Sequence, residues 1–255
     1  MSIEKDTKKI TKENIDIYLK EFAKVFKKMN GDKMSTEIIM VGGASVLTNY
    51  NFRKSTGDID AVILSSSVIK DVINVISEKY NLPNDWLNTD FKKSNSYSPK
   101  LREVSVPYKT FSSIVSIRTI KSEYLIAMKL MAGREYKHDM SDIVGIFLEH
   151  KKKKEPISLE KLDNAIKKLY GNMDKMPEES LNMLNRLKNT TNYEKLFKEI
   201  KNKEKEARKV LNTFSDKYPN VLTKDNINNI LKQLLNKKKD INQIIPDKKM
   251  VKYSY

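Results

Sequence analysis

The chain has 255 residues, no cysteine and a formal net charge of +16. That length suits one large domain or two small ones, and the missing cysteine excludes a disulfide framework and a thiolate metal site. No apolar run reaches the roughly 18 residues of a membrane span, and Met1–Asp6 lacks the apolar core of a signal peptide, so a soluble, cytoplasmic protein with no membrane partner is expected.

In chain order, Thr11 is placed to cap a helix from Lys12 to about Met29. Ile15, Tyr18, Leu19, Phe22, Val25, Phe26 and Met29 recur on one face of it. Asn30-Gly31-Asp32 stops that helix. An apolar run ending in Ile38-Ile39-Met40-Val41 reads as a buried strand, followed by Gly42-Gly43-Ala44-Ser45 and a short helix over about Ala44–Asn49. A second strand spans Asp58–Leu64. Side chains alternate along a strand, so Asp58 and Asp60 share one face, while Ile59, Ala61 and Ile63 point into a core on the other. Two adjacent carboxylates repel, and a cation between them removes the repulsion. Mg²⁺ takes one or two carboxylates together with phosphate oxygens. The paired glycines let backbone N–H groups approach an anion closely. A metal end and a phosphate end together describe a nucleoside triphosphate site.

Ser65–Ser67 is read as the cap of a helix from Val68 to about Tyr80. Strand, helix, strand, helix is an α/β beginning. Pro83–Leu87 reads as a short helix with Trp86 as anchor, Asn95–Pro99 as loop, and Leu101–Val106 and Ser113–Ile120 as two further strands. Ser122 opens a helix in which Lys129 stands among Tyr124, Leu125, Ile126, Ala127, Met128, Leu130, Met131 and Ala132. An unpaired buried ammonium is very costly, so Lys129 requires an acid or a polar cleft, unless it snorkels to the helix edge. Asp139 and Asp142 share a helix face, and Arg134 is placed either for chemistry or for a salt bridge to one of them. There is no Walker A sequence, no Gly-x-Gly-x-x-Gly and no Gly-x-Ser-x-Gly elbow. Only His138 and His150 are present, which argues against a histidine metal site or a Ser-His-Asp triad.

Lys151–Lys154 followed by Glu155-Pro156 marks a boundary between residues 1–150 and a helical, basic segment 151–255. Ser158, Pro177 and Thr223 open helices in that segment, and a long charged helix starts at Tyr193. Residues 1–150 hold 23 Lys+Arg against 19 Asp+Glu, net +4. Residues 151–255 hold 26 against 14, net +12. Such an excess attracts polyanions, of which nucleic acid is the usual one. The alternative is that these lysines only solvate helices, since Lys greatly outnumbers Arg.

The Gly42-Gly43-Ala44-Ser45 turn followed by Asp58-Ile59-Asp60 on a strand resembles the nucleotidyltransferase superfamily that includes DNA polymerase β. It is most similar to a minimal bacterial branch that contains the abortive-infection (type IV) toxin nucleotidyltransferases. Arg53-Lys54-Ser55-Thr56-Gly57, Lys129, Arg134, Asp139 and Asp142 fall on that branch's pattern, with His138 where Arg or Lys is more usual. The resemblance covers roughly residues 35–150. It implies an α/β (α+β) nucleotidyltransferase fold, with a small mixed sheet flanked by helices and a C-terminal helical bundle. It implies Asp58, Asp60 and Asp142 as catalytic residues, and Lys129 as both catalytic and nucleotide-binding. Gly42, Gly43, Ser45 and Arg53 would bind the NTP. Asp58 and Asp60 would hold two Mg²⁺ ions, with Glu103 as a third metal ligand; an isolated edge-strand glutamate would look the same. The implied acceptor is tRNA or other RNA, and the implied partner an antitoxin. A protein hydroxyl, an antibiotic acceptor, or a non-catalytic nucleic-acid-binding module on the same fold are the other readings.

Overall fold

The structure, a computed structural model, describes residues 8–31, 34–64, 68–223 and 226–244. It begins with β1 (Ile10–Thr11) and α1 (Lys12–Asn30). The Thr11 N–H donates to Asn14 Oδ1 at 2.8 Å, satisfying a backbone group at the helix start. There follow β2 (Thr36–Met40), α2 (Gly42–Asn49), β3 (Ser55–Thr56), β4 (Ile59–Leu64), α3 (Ile69–Tyr80), β5 (Leu87–Asn88), β6 (Ser105–Phe111) and β7 (Val115–Ile120). The rest of the described chain is helical: α4 (Ser122–Ala132), α5 (Asp139–Lys152), α6 (Leu159–Tyr170), α7 (Glu178–Asn189), α8 (Tyr193–Lys217) and α9 (Ile227–Ile244). No helix among the described residues is long and apolar enough to cross a membrane.

Five strands form one mixed sheet in the order β5-β4-β2-β7-β6, and β1 pairs with β3 separately. β2 is antiparallel to β4 and parallel to β7. The carboxyl end of β2 therefore lies beside the amino end of β4, and the Val41 N–H donates to the Asp60 carbonyl at 2.9 Å. Strand alternation splits the core in two. Ile38, Met40, Ile59, Ala61 and Ile63 pack with α1 and α3. Ile39, Val41, Val62 and Ile120 pack with α4 and the helices that follow. Asp60 shares the face of Val62, and so looks toward the α4–α5 side, with Asp58 directly before the strand.

Three local expectations fail for identifiable reasons. Pro83–Trp86 is a turn into β5 rather than a helix. Trp86 is nevertheless fully buried, and its indole N–H donates to the Ile73 carbonyl at 3.2 Å. Leu101–Val106 is not a strand: Pro99–Leu101 form a 3₁₀ turn, with Ser98 Oγ accepting from the Lys100 N–H, and the strand starts only at Ser105. Asp58 lies one residue before β4 instead of inside it. Ser65–Ser67, read as a helix cap, lies outside the described residues. Ser158 does cap its helix, accepting from the Lys161 N–H at 3.1 Å.

The segment 151–156 does not separate two cores. α5 continues to Lys152. One buried cluster joins Val41, Leu125, Ile143 and Phe147 to Leu162, Ile166, Met183, Leu196 and Ile200. Removing the partners of a buried face exposes large apolar area, at roughly 25 cal/mol per Å². A fragment of residues 1–150 is therefore expected to lack the cooperative thermal transition of the full chain, followed by circular dichroism or calorimetry. A sharp transition in the fragment would mean that the two halves fold independently.

Candidate active site

The site begins where β2 runs out. α2 starts at Gly42 without a side-chain cap at its amino end. Gly42 has φ +55°, the left-handed region that favours glycine, and a Cβ there would stand 3.4 Å from Asp60 Oδ2. A Cβ on Gly43 would lie 2.5 Å from Thr56 Oγ1 and 3.2 Å from the Arg53 guanidinium, so only glycine admits this close approach. The first turn of α2 is thus held directly against the carboxylate-bearing strand, with uncapped N–H groups at its start, an arrangement suited to an anion. Ser45 belongs to the scaffold. It is fully buried, its hydroxyl is 2.5 Å from Thr119 Oγ1, and it accepts from the Ile120 N–H at 3.1 Å. It therefore fastens α2 to β7, and its hydroxyl is occupied within the fold.

Burial, followed by the charge of Asp60, pushes the Asp58 carboxyl up to about 6. Lys137 and Arg134 pull it the other way, and Asp85, in the turn before β5, adds to the rise. The two acids thus form a negative site that the protein leaves only partly compensated. Two hard oxygen donors with excess negative charge fit Mg²⁺, which fills its remaining positions with phosphate or water. Glu103 lies elsewhere. It sits in the turn after Pro99–Leu101, its side chain is 63% exposed, and its neighbour is Lys168 at 3.6 Å. At the point where α2 meets β7 the strand carries Thr119, not an acid. No group of three His, Cys, Asp or Glu side chains suited to a metal occurs among the described residues. Of the three predicted metal ligands, only Asp58 and Asp60 come together.

The other predicted residues come together in one buried ionic cluster. Lys129 is 5% exposed, and its ammonium lies 3.1 Å from Asp139 Oδ1 and 2.7 Å from Asp142 Oδ2. Arg53 Nη1 donates to both Asp142 oxygens at 3.1 and 3.0 Å, while its Nε donates to the Ser55 carbonyl at 2.8 Å. Arg134 Nε donates to Asp139 Oδ2 at 2.7 Å. Burial alone would raise the Asp139 carboxyl. The charges of Arg134 and Lys129 outweigh it and hold the group well below the usual carboxylate range. Asp139 in turn, more than any other group, raises Arg134. The expectation that Lys129 faces triphosphate oxygens thus meets a different arrangement: its charge is matched inside the protein by two carboxylates. Asp142 is likewise enclosed at 2% exposure, and Arg53 is turned toward it rather than left free.

Sequence reasoning passed over Lys137, in the connection between α4 and α5. The signal was present in the run Arg134, Lys137, His138 directly ahead of Asp139. It also passed over Glu204 of α8. This residue is 1% exposed and accepts from the Ser141 N–H at 2.9 Å and the Ser141 hydroxyl at 2.6 Å, capping α5 from another helix.

A small mixed sheet flanked by helices, whose Gly-Gly turn abuts Asp60 of β4, agrees with the nucleotidyltransferase class of fold. The family model described as "Nucleotidyltransferase of unknown function (DUF6036)" matches residues 18–201. The chain belongs to that family. No curated protein and no solved structure gives a match.

Two stability effects follow. Asp58 has a folded pKa above its unfolded value, so the folded state holds the extra proton between about pH 4 and 6, and stability is lost as pH rises through that window. Asp58→Asn should raise stability above pH 6 by about 1–3 kcal/mol and leave it unchanged near pH 3.5, read from denaturant melts across pH. A variant no more stable than wild type at pH 7.5 would contradict the uncompensated pair. Lys129→Met leaves each buried carboxylate with a single arginine, Asp139 with Arg134 and Asp142 with Arg53, and is expected to cost about 1.5–3 kcal/mol in the same assay through the lost charged hydrogen bonds. A loss under 1 kcal/mol would show that the cluster relaxes freely.

Proposed function

We propose that the chain is a Mg²⁺-dependent nucleotidyltransferase that moves a nucleoside monophosphate from an NTP to an RNA acceptor, with tRNA the leading candidate. The observation that carries the reading is the Asp58/Asp60 pair, partly uncompensated, at the start of β4, with Asp60 against Gly42 of the Gly-Gly turn. In this reading Asp58 and Asp60 hold the metal, and the amino end of α2 receives phosphate oxygens through its backbone N–H groups. When bound, Mg²⁺ neutralises phosphate charge and lowers the pKa of the attacking hydroxyl. The acceptor oxygen forms a bond to the α-phosphorus, the bond from that phosphorus to the bridging oxygen breaks, and pyrophosphate leaves. Catalysis of this kind is largely positioning and electrostatics. The net +12 of residues 151–255 supports a polyanionic acceptor. A toxin role opposed by an antitoxin, in the cytoplasm, rests on the resemblance in the Gly-Gly/Asp-x-Asp and Lys129–Asp142 stretches.

The test is incubation of the full chain with each α-labelled NTP, Mg²⁺ and total tRNA, beside Asp58→Ala and Asp60→Ala. Label is expected in RNA with the intact acids only, and each variant should lose at least about 10²-fold in rate. Label arriving instead on protein or on an aminoglycoside would redirect the acceptor. Undiminished transfer by Asp58→Ala would remove the acids from the mechanism.

A further inference from the structure

The run Lys151–Lys154, read from sequence only as a boundary, closes α5 beside a cavity of about 460 Å³. Pockets that hold small ligands fall in this size range. Tyr50 after α2, Lys121 ahead of α4, Glu123 in its first turn, His150 and Lys153 at the end of α5, and Lys161 of α6 line it. The two rings are committed within the fold. His150 Nδ1 lies 3.2 Å from the Glu155 carbonyl, which can only accept, so in the neutral ring Nδ1 carries the proton and the Tyr50 hydroxyl donates to Nε2 at 3.3 Å. The three cations are not so held. Lys153 and Lys161 are 51% and 57% exposed, and their pairs with Glu149 and Glu123 are loose, at 3.6 and 3.5 Å. Lys121 is exposed and forms no ion pair among the described residues. Exposed pairs contribute little, so these ammoniums can turn to an incoming anion at small cost. Three ammoniums against the carboxylates of Glu123 and Glu149 leave the cavity net positive.

The cavity has a fixed relation to the acid pair. β7 runs parallel to β2, and β4 antiparallel to it, so Ile120, the Gly42–Gly43 turn and the start of β4 lie at one end of the sheet. Asn49 Nδ2 donates to Thr119 Oγ1 at 2.9 Å, which pins the last turn of α2 to β7. α2 thus begins against Asp60 and ends at the cavity, and its eight residues rise about 12 Å. A stacked strand carries one phosphate per roughly 3.4 Å of axis, so that separation spans about three or four nucleotides. The positive surface also continues out of the cavity along Lys151–Lys154, all exposed, which suits a chain of phosphates better than a single free anion. We infer that the cavity receives a backbone phosphate of the RNA acceptor, about three or four nucleotides from the end that reacts at Asp58 and Asp60. This rests on the RNA-acceptor reading of the Asp58/Asp60 site.

The test follows binding of fluorescently labelled total tRNA to the full chain by anisotropy over a range of salt. The cavity variant is Lys121→Gln/Lys153→Gln, which leaves Lys161 to match Glu123. The control, Lys205→Gln/Lys209→Gln, removes the same charge from exposed positions on α8. The cavity variant should bind about tenfold more weakly, and its slope of log K against log salt should fall by about 1, as for one lost phosphate contact. The control should lose no more than about twofold, and Lys121→Arg/Lys153→Arg should bind like wild type, since the charge remains. Unchanged binding by the cavity variant, or an equal loss in the control, would overturn the assignment, the second by showing charge that acts only at range. An equal loss in the arginine variant would mark a change of local structure and overturn it too. Inorganic phosphate and ATP are titrated in parallel by calorimetry. Anion binding that the cavity variant loses while its tRNA affinity holds would give the cavity to a free anion instead. If wild type labels tRNA and the cavity variant does so with the same KM for tRNA, the acceptor reading stands and the assignment falls. If tRNA neither binds nor takes label, the acceptor reading falls and takes the assignment with it.

Discussion

Two carboxylates of α5 hold this molecule's working parts in register. Asp139 and Asp142 receive Lys129 from α4, Arg53 from the loop after α2, and Arg134 from the α4–α5 connection, at distances between 2.7 and 3.3 Å. Buried charges are expensive, and pairing offsets that cost only when the geometry is good. Here Asp139, Asp142 and Lys129 each have two opposite partners, so moving any one of them takes a partner from two others. The cluster is therefore better understood as a constraint on geometry than as a source of net stability. Through Arg53 it reaches the Gly43–Thr56 contact, and through Arg134 it reaches the stretch that faces Asp58 and Asp60.

That constraint separates two acid pairs of the same chemistry. Asp139 and Asp142 are deeply buried and matched by cations, and Asp139 is driven well below the ordinary carboxylate range. Asp58 and Asp60 are only partly matched, and Asp58 is driven up. A fold optimised only for stability would neutralise both pairs. Leaving one pair short of positive charge, while three cations are gathered about the other, makes sense if the missing charge arrives from outside.

Much of this was legible in the sequence, for physical reasons. Strand alternation placed Asp60 on one face of β4 and Ile59, Ala61 and Ile63 in the core on the other, because period-2 geometry leaves no other choice within the strand; Asp58 falls one residue before it. The requirement that Lys129, if buried, meet an acid or a polar cleft followed from the cost of a buried ammonium. Which acids it would meet did not, since Asp139 and Asp142 come close only after α4 and α5 turn back on each other at Gly133. Ser45 looked like a phosphate ligand because a hydroxyl after Gly-Gly has that appearance locally; its partners Thr119 and Ile120 lie more than 70 residues away. Glu103 was misplaced because Ser98-Pro99 turns the chain where alternating residues suggested a strand. Glu204 and Arg208 were invisible for the same reason as Thr119. Each is ordinary within its own helix, and only tertiary packing gives it a partner.

The helices after residue 150 thus have two physical roles that composition alone blurs into one. Many of their lysines form exposed pairs, such as Lys152 with Glu194 and Lys203 with Glu199, and such pairs contribute little to stability. The remaining excess of +12 acts at range, within a screening length of about 8–10 Å at ordinary salt, and biases which polyanions approach. Glu204 and Arg208 act at contact distance. One caps α5 at the end that carries Asp139 and Asp142, and the other holds the carbonyls of Tyr136 and Lys137. A segment that supplied only charge would tolerate wide sequence change as long as the lysines remained. One that also caps α5 and holds the α4–α5 connection cannot, and that difference makes α8 part of the framework that carries Asp139 and Asp142 rather than an appendage to it.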